Sequence, residues 1–170
     1  MKSLRRVLLA CCVLCMACPA LRATMISYIA TARGGGQFEC EYSVTNDTLG
    51  VPIRQFTIWF DVELYDNLII TTQDPLASEW NEIILEKTGF GLPVGYDALA
   101  DEGGVPPSQT VGGFLVRFDW VGLDIPGPQF FEIIDPLTSE TMDSGYTIPE
   151  PASILVLGFG SFVLLRRHRR

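Results

Sequence analysis

The chain has 170 residues, a net charge of −8 and 48% hydrophobic residues, enough for one domain and two short terminal segments. Cations gather at the ends, so residues 24–147 keep only Arg33, Arg54, Lys87 and Arg117 against 19 carboxylates, a formal charge of −15 that repels DNA, RNA and anionic lipid. The single histidine, His168, lies in the terminal basic cluster, which excludes Ser-His-Asp and Cys-His catalysis and most zinc sites from the domain.

Residues 1–23 read as a signal peptide. Lys2, Arg5 and Arg6 form its positive front, and Val7 to Ala17 is an apolar run of 11 residues, short of the ~20 that span a bilayer. Cleavage is expected after Ala23, with Ala20 as the second site. The same stretch holds Cys11, Cys12, Cys15 and Cys18, and lipid attachment to one of them is the runner-up to ordinary signal cleavage. Only Cys40 enters the domain, so no internal disulfide can form and the core alone must hold the fold.

Residues 24–147 predict an all-β domain. Phe38, Cys40, Tyr42 and Val44 alternate with Glu39, Glu41 and Ser43. Phe56, Ile58, Phe60, Val62 and Leu64 alternate with Thr57, Trp59, Asp61 and Glu63. Phe114, Val116, Phe118 and Trp120 alternate with Leu115, Arg117 and Asp119. Each is a period-2 pattern with one face toward a core. Shorter strands are expected over 26–30, 67–72, 82–86 and 129–134, separated by turn signals such as Gly34-Gly35-Gly36, Asp66-Asn67 and Pro126-Gly127-Pro128. Seven to nine short strands favour a β-sandwich, immunoglobulin-like or jelly-roll-like. Phe56, Phe60, Phe114, Phe118 and Phe131 are its expected core.

Several side chains are candidates for chemistry. The stretch 89–109 is expected as the longest loop, and Asp97, Asp101 and Glu102 in it are weak candidates for a Ca²⁺ site without the spacing of a calcium loop. Asp61, Glu63 and Asp66 are a carboxylate cluster on a strand edge, where a solvated face outweighs glycosidase chemistry. Trp59, Trp80 and Trp120 suit a sugar-stacking face or core packing. Trp120 is placed with the core side and Trp59 away from it; Trp80 is left unplaced. Cys40 is read as a buried inert thiol, and Asn46-Asp47-Thr48 as a turn despite its sequon. No catalytic residue and no cofactor are expected.

The C-terminus has three parts in order: Pro149-Glu150-Pro151, an uncharged apolar run from Ala152 to Leu165, and Arg166, Arg167, Arg169 and Arg170. The run has 14 residues and reaches ~21 Å as a helix, less than the ~30 Å hydrocarbon core. Terminal arginines extend such a span by reaching the headgroups, and they mark the cytoplasmic side. The order resembles a PEP-CTERM sorting tail. That resemblance implies recognition of Pro149-Glu150-Pro151 by an exosortase, a Gram-negative-type host that often makes exopolysaccharide, and an inner-membrane-anchored precursor passed to the envelope or the outside. Phe56 to Asp61, Tyr96 to Ala98, Gly112 to Trp120 and Phe131 to Pro136 are similar to a recurring PEP-CTERM passenger domain, a similarity that carries no chemistry. The expected organisation is a signal peptide over 1–23, an exported domain over 24–147 and a sorting tail over 148–170. The expected role is non-enzymatic, in the cell envelope or extracellular matrix. A glycan- or Ca²⁺-binding surface module is the alternative.

Overall fold

The computed structural model describes residues 24–86 and 93–150. Ala23, Pro151, the expected span 152–165 and the arginine cluster lie outside them. The strands are β1 (Met25–Gly34), β2 (Gln37–Asn46), β3 (Gln55–Phe60), β4 (Tyr65–Ile70), β5 (Trp80–Leu85), β6 (Val94–Ala100), β7 (Gln109–Trp120), β8 (Phe130–Ile134), β9 (Thr141–Tyr146) and β10 (Ile148–Pro149). One four-residue helix, α1 (Leu76–Glu79), precedes β5.

The strands form two five-stranded sheets, ordered β10-β1-β2-β7-β4 and β5-β6-β3-β8-β9. Neighbours are antiparallel except β1 and β10, which are parallel. The order β1-β2-β7-β4 opposite β3-β8-β9 has the connectivity of an immunoglobulin sandwich. The hairpin β5–β6 is inserted between the fourth and fifth of those strands and extends the second sheet beside β3. At the β1–β2 hairpin Gly34, Gly35 and Gly36 all have positive φ, a conformation that side-chain-bearing residues adopt at a cost.

Alternation selects the core. From the first sheet Ile26, Cys40, Tyr42, Val44, Phe114, Val116 and Phe118 point inward; from the second Phe56, Ile58, Phe60, Tyr96, Ala98, Phe131 and Ile133 do so, all buried. All five expected core phenylalanines are among them. Aromatic rings bridge the sheets, with Phe56 5.0 Å and Trp80 5.1 Å from Phe114 between ring centres, both edge-on.

Two expectations are corrected. The strand expected to run through Leu64 ends at Phe60. Asp61 Oδ1 accepts the Glu63 amide at 2.9 Å, and its backbone carbonyl accepts the amides of Leu64 and Tyr65 at 3.0 and 2.9 Å. Aspartate thereby closes a turn that carries the chain from one sheet to the other, and Leu64 is exposed rather than core. The expected loop 89–109 contains β6, a central strand of the second sheet. Its inward positions are mostly small (Ala98 and Ala100 beside Tyr96), so its period-2 signal is weak. Two strands missed altogether, β9 and β10, are edge strands with few core side chains.

Candidate functional site

The outward face of the second sheet carries one apolar row. Leu85 pairs with Gly95, Gly95 with Trp59, Trp59 with Phe130, and Phe130 with Tyr146. Five consecutive strands thus present one residue each along a line across the sheet. Gly95 makes room for its neighbour: a Cβ there would lie 3.0 Å from Cζ3 of Trp59 and 3.0 Å from Cδ1 of Leu85. The indole of Trp59 therefore rests close over the strand, and its Nε1 donates to Oε2 of Glu132 at 2.8 Å. Phe130 and Tyr146 pack edge to face, 5.6 Å apart and inclined at 64°. Tyr146 is 67% exposed.

The next row along the strands is polar: Asp97, Thr57, Glu132 and Ser144 are in register. Thr57 Oγ1 donates to Asp97 at 2.7 Å, and Gln55 Nε2 donates to both its oxygens at 3.1 and 3.0 Å. Thr141 Oγ1 donates to Oε1 of Glu132 at 3.1 Å. At the end of the sandwich the apolar row opens into a cleft of about 950 Å³, lined by Trp59, Phe130, Tyr146, Leu85, Tyr65 and Trp120 together with the exposed Asp61 and Glu86. Burial pushes the Tyr65 phenol up to about 12, so it stays protonated and hydrogen-bonds Gln129.

The tryptophans separate. Trp59 is on the outer face as expected, Trp80 is 5% exposed in the core, and Trp120 is half-buried with its ring 4.8 Å from Tyr65. Phe130 and Tyr146 were missed. A signal existed for Phe130: adjacent residues of a strand face opposite ways, so Phe131 in the core puts Phe130 outside. Tyr146 follows a polar stretch and gives no such signal.

The other candidates are dispersed. Asp97 lies on the sheet's outer face, while Asp101 and Glu102 are exposed in the turn after β6. Asp97 and Asp101 are four extended residues apart, about 13 Å, too far to share an ion. Among the described residues no group of three or more histidines, cysteines or carboxylates is placed to hold a metal. Asp61 and Glu63 share a turn, and Asp66 accepts the Asn67 amide. Cys40 is fully buried, and burial pushes its thiol up to about 12. Asn46 is buried too, its amide donating to the carbonyls of Val51 and Val105 at 2.9 Å, out of reach of a glycan-transferring enzyme.

The start of the C-terminal tail is joined to the domain. Gln129 and Thr147 bind each other through backbone and side chain. Ile148 and Pro149 then pair with Ser27 and Tyr28. The Glu150 amide donates to the Tyr28 carbonyl at 2.9 Å, and Ser27 Oγ donates to Glu150 Oε1 at 3.1 Å. Pro149 of the Pro-Glu-Pro motif is therefore an edge residue of the first sheet, and Glu150 is hydrogen-bonded to that edge. Proline suits that place because an outermost strand needs no amide on its free side. No helix among the described residues is long and apolar enough to cross a membrane.

Fold and tail together define a two-sheet β domain that ends in a protein-sorting signal. The chain carries the PEP-CTERM protein-sorting motif, whose family model matches residues 147–170. No curated protein matches the chain. Among solved structures it is similar to the chitin-binding domain of Chi18aC from Streptomyces coelicolor, with 14% identity and a TM-score of 0.40 over 64% of this chain and 90% of that one. It is also similar to the carbohydrate-binding module CBM3b of cellobiohydrolase 9A from Clostridium thermocellum, with 9% identity and a TM-score of 0.42 over 75% and 99%.

Proposed function

We propose that this chain is an exported, non-catalytic protein of the cell envelope or extracellular matrix, delivered through its C-terminal tail. One observation carries the reading: the sorting motif matched at 147–170 begins within the β-sandwich, its residues 148 and 149 forming the last strand. In this reading a signal peptide over 1–23 is removed after Ala23, and residues 24–147 are exported as one domain. Ala152 to Leu165 hold the precursor in the inner membrane, and Arg166, Arg167, Arg169 and Arg170 stay on the cytoplasmic side. Pro149, Glu150 and Pro151 are recognition elements for an exosortase, not catalytic groups of this chain. The acidic domain, with its −15 formal charge between residues 24 and 147, is kept soluble and away from anionic headgroups by repulsion.

The test is fractionation of the native host followed by intact-mass measurement. The expected species outside the inner membrane lacks Ala152 to Arg170. A sole mature species that still carries those residues and stays in the inner membrane would leave a simple membrane anchor and overturn the sorting reading.

A further inference from the structure

We propose that the outer face of the second sheet binds a single chain of neutral, β-linked polysaccharide along the row Trp59–Phe130–Tyr146. This goes beyond the sorting reading and does not depend on it.

Spacing is the first argument. Neighbouring strands lie about 4.8 Å apart, about the length of one sugar ring. Trp59, Phe130 and Tyr146 stand in register on three adjacent strands, so successive rings of an extended glycan meet successive aromatic side chains. Aromatic faces supply apolar surface to the C–H faces of such rings. The second argument is fixation. Trp59 is held by its hydrogen bond to Glu132 and by close packing over Gly95, so little side-chain freedom is lost when a ligand arrives.

Hydroxyls have partners beside the aromatic row. Glu132 accepts one bond on each oxygen, from Trp59 and Thr141, and each oxygen retains a lone pair for a sugar hydroxyl. Ser144 is its in-register neighbour. Charge narrows the ligand further. Asp61 and Glu86 are among the lining residues, and their negative charge disfavours a uronate chain, nucleic acid or an anionic bilayer. A protein partner typically covers about 800 Å² per side, whereas this apolar strip is one residue deep and bordered by hydrogen-bonding groups. The 64° inclination of Phe130 to Tyr146 means that both rings cannot lie against one flat surface. A single chain fits that bent face; a crystalline polymer face does not.

Calorimetry of the full chain in phosphatidylcholine nanodiscs tests the proposal, with cellohexaose, chitohexaose and mannohexaose as neutral β-linked probes, polygalacturonate as the anionic one, and microcrystalline cellulose in a pull-down. At least one neutral hexasaccharide should bind, and Trp59→Ala should weaken it by at least about tenfold, or about 1.4 kcal/mol. Tyr146→Ala should weaken it severalfold; its 67% exposed ring leaves the core untouched, so the test remains sharp if Trp59→Ala loses the fold. Silence from all three neutral hexasaccharides, binding of polygalacturonate or crystalline cellulose alone, or wild-type affinity in Tyr146→Ala would each overturn it. Failure here leaves the sorting reading intact, since that is judged by the mass of the mature chain.

Discussion

Glu39 shows how a charged residue can sit in a strand without being solvated. It is 4% exposed on the outward face of the first sheet, covered by two arginines. Arg33 forms an ion pair with one carboxylate oxygen. Arg117 reaches the other at 2.8 Å, where Thr71 also donates at 3.1 Å. Burial by itself raises this carboxyl, but the hydrogen bonds from Arg33, Arg117 and Thr71 outweigh it and hold the group below the ordinary 4.5. A folded-state pKa below the unfolded one makes the contribution complete above pH 4.5 and lost as pH falls through the folded value. Glu39→Gln should therefore cost about 1–3 kcal/mol at pH 7, and its deficit in Tm should shrink as pH drops below 4.5. A pH series of melting curves checks this, and a deficit that persists at pH 2 would contradict it. Cys40 is the other residue with a clear expectation. With its thiol pushed up to about 12, it should resist iodoacetamide at pH 8 in the native protein and react stoichiometrically once denaturant is added.

Among the elements, the segment from Pro126 to Gln129 and the join of β9 to β10 depend on one side chain. Gln129 is 3% exposed and sits among three hydroxyls. Its Oε1 accepts from Tyr42 at 3.2 Å and Thr147 at 2.9 Å, while its Nε2 donates to Tyr65 at 2.8 Å and to the Gly127 carbonyl. Tyr28 adds a bond to the Pro126 carbonyl at 3.1 Å. Gln129→Ala takes the acceptor from the buried Tyr42 hydroxyl and one bond each from Tyr65 and Thr147, and should cost about 2–3 kcal/mol. Amide exchange should quicken at Thr147 and Glu150 together, because the strand pairing of Ile148 with Ser27 begins at the position that Gln129 anchors. Faster exchange at Thr147 with unchanged Glu150 would separate the two elements.

For the whole molecule, the bond between the sheets is aromatic. Phe114 on the first sheet meets Phe56 and Trp80 on the second, and Phe118 meets Phe60 at 6.1 Å. With Cys40 as the only cysteine among the described residues, no covalent link joins the layers there. Phe114→Ala opens a cavity at the contact between layers and should lower stability by about 3–5 kcal/mol in urea unfolding. A loss under 1 kcal/mol would mean that the sheets are held by something other than these rings. The tail acts at the same scale, since its first residues belong to a sheet edge and the domain must stand close to whatever holds the residues beyond Pro151.

Much of this was legible in the sequence because period 2 is a local property. Phe38 to Val44, Phe56 to Phe60 and Phe114 to Trp120 each show which side chains meet the core, and the tail announces itself by prolines, an uncharged run and arginines in order. The turn at Asp61 was hidden because alternation runs on through Glu63 and Leu64, while the hydrogen bonds of the Asp61 side chain and carbonyl end the strand. Strand β6 was hidden because its inward residues are mostly small, and its central place depends on pairing with β3, which is distant in sequence. The aromatic row is of the same kind: Leu85, Gly95, Trp59, Phe130 and Tyr146 come from five strands, and only strand register brings them into one line. The sequence by itself determined that this protein is a β domain with a sorting tail, because those signals lie within short windows. Tertiary structure alone decided that the tail begins as an edge strand of the domain and that one outer face carries an aromatic row, because both follow from hydrogen-bonded pairing between segments far apart in the chain.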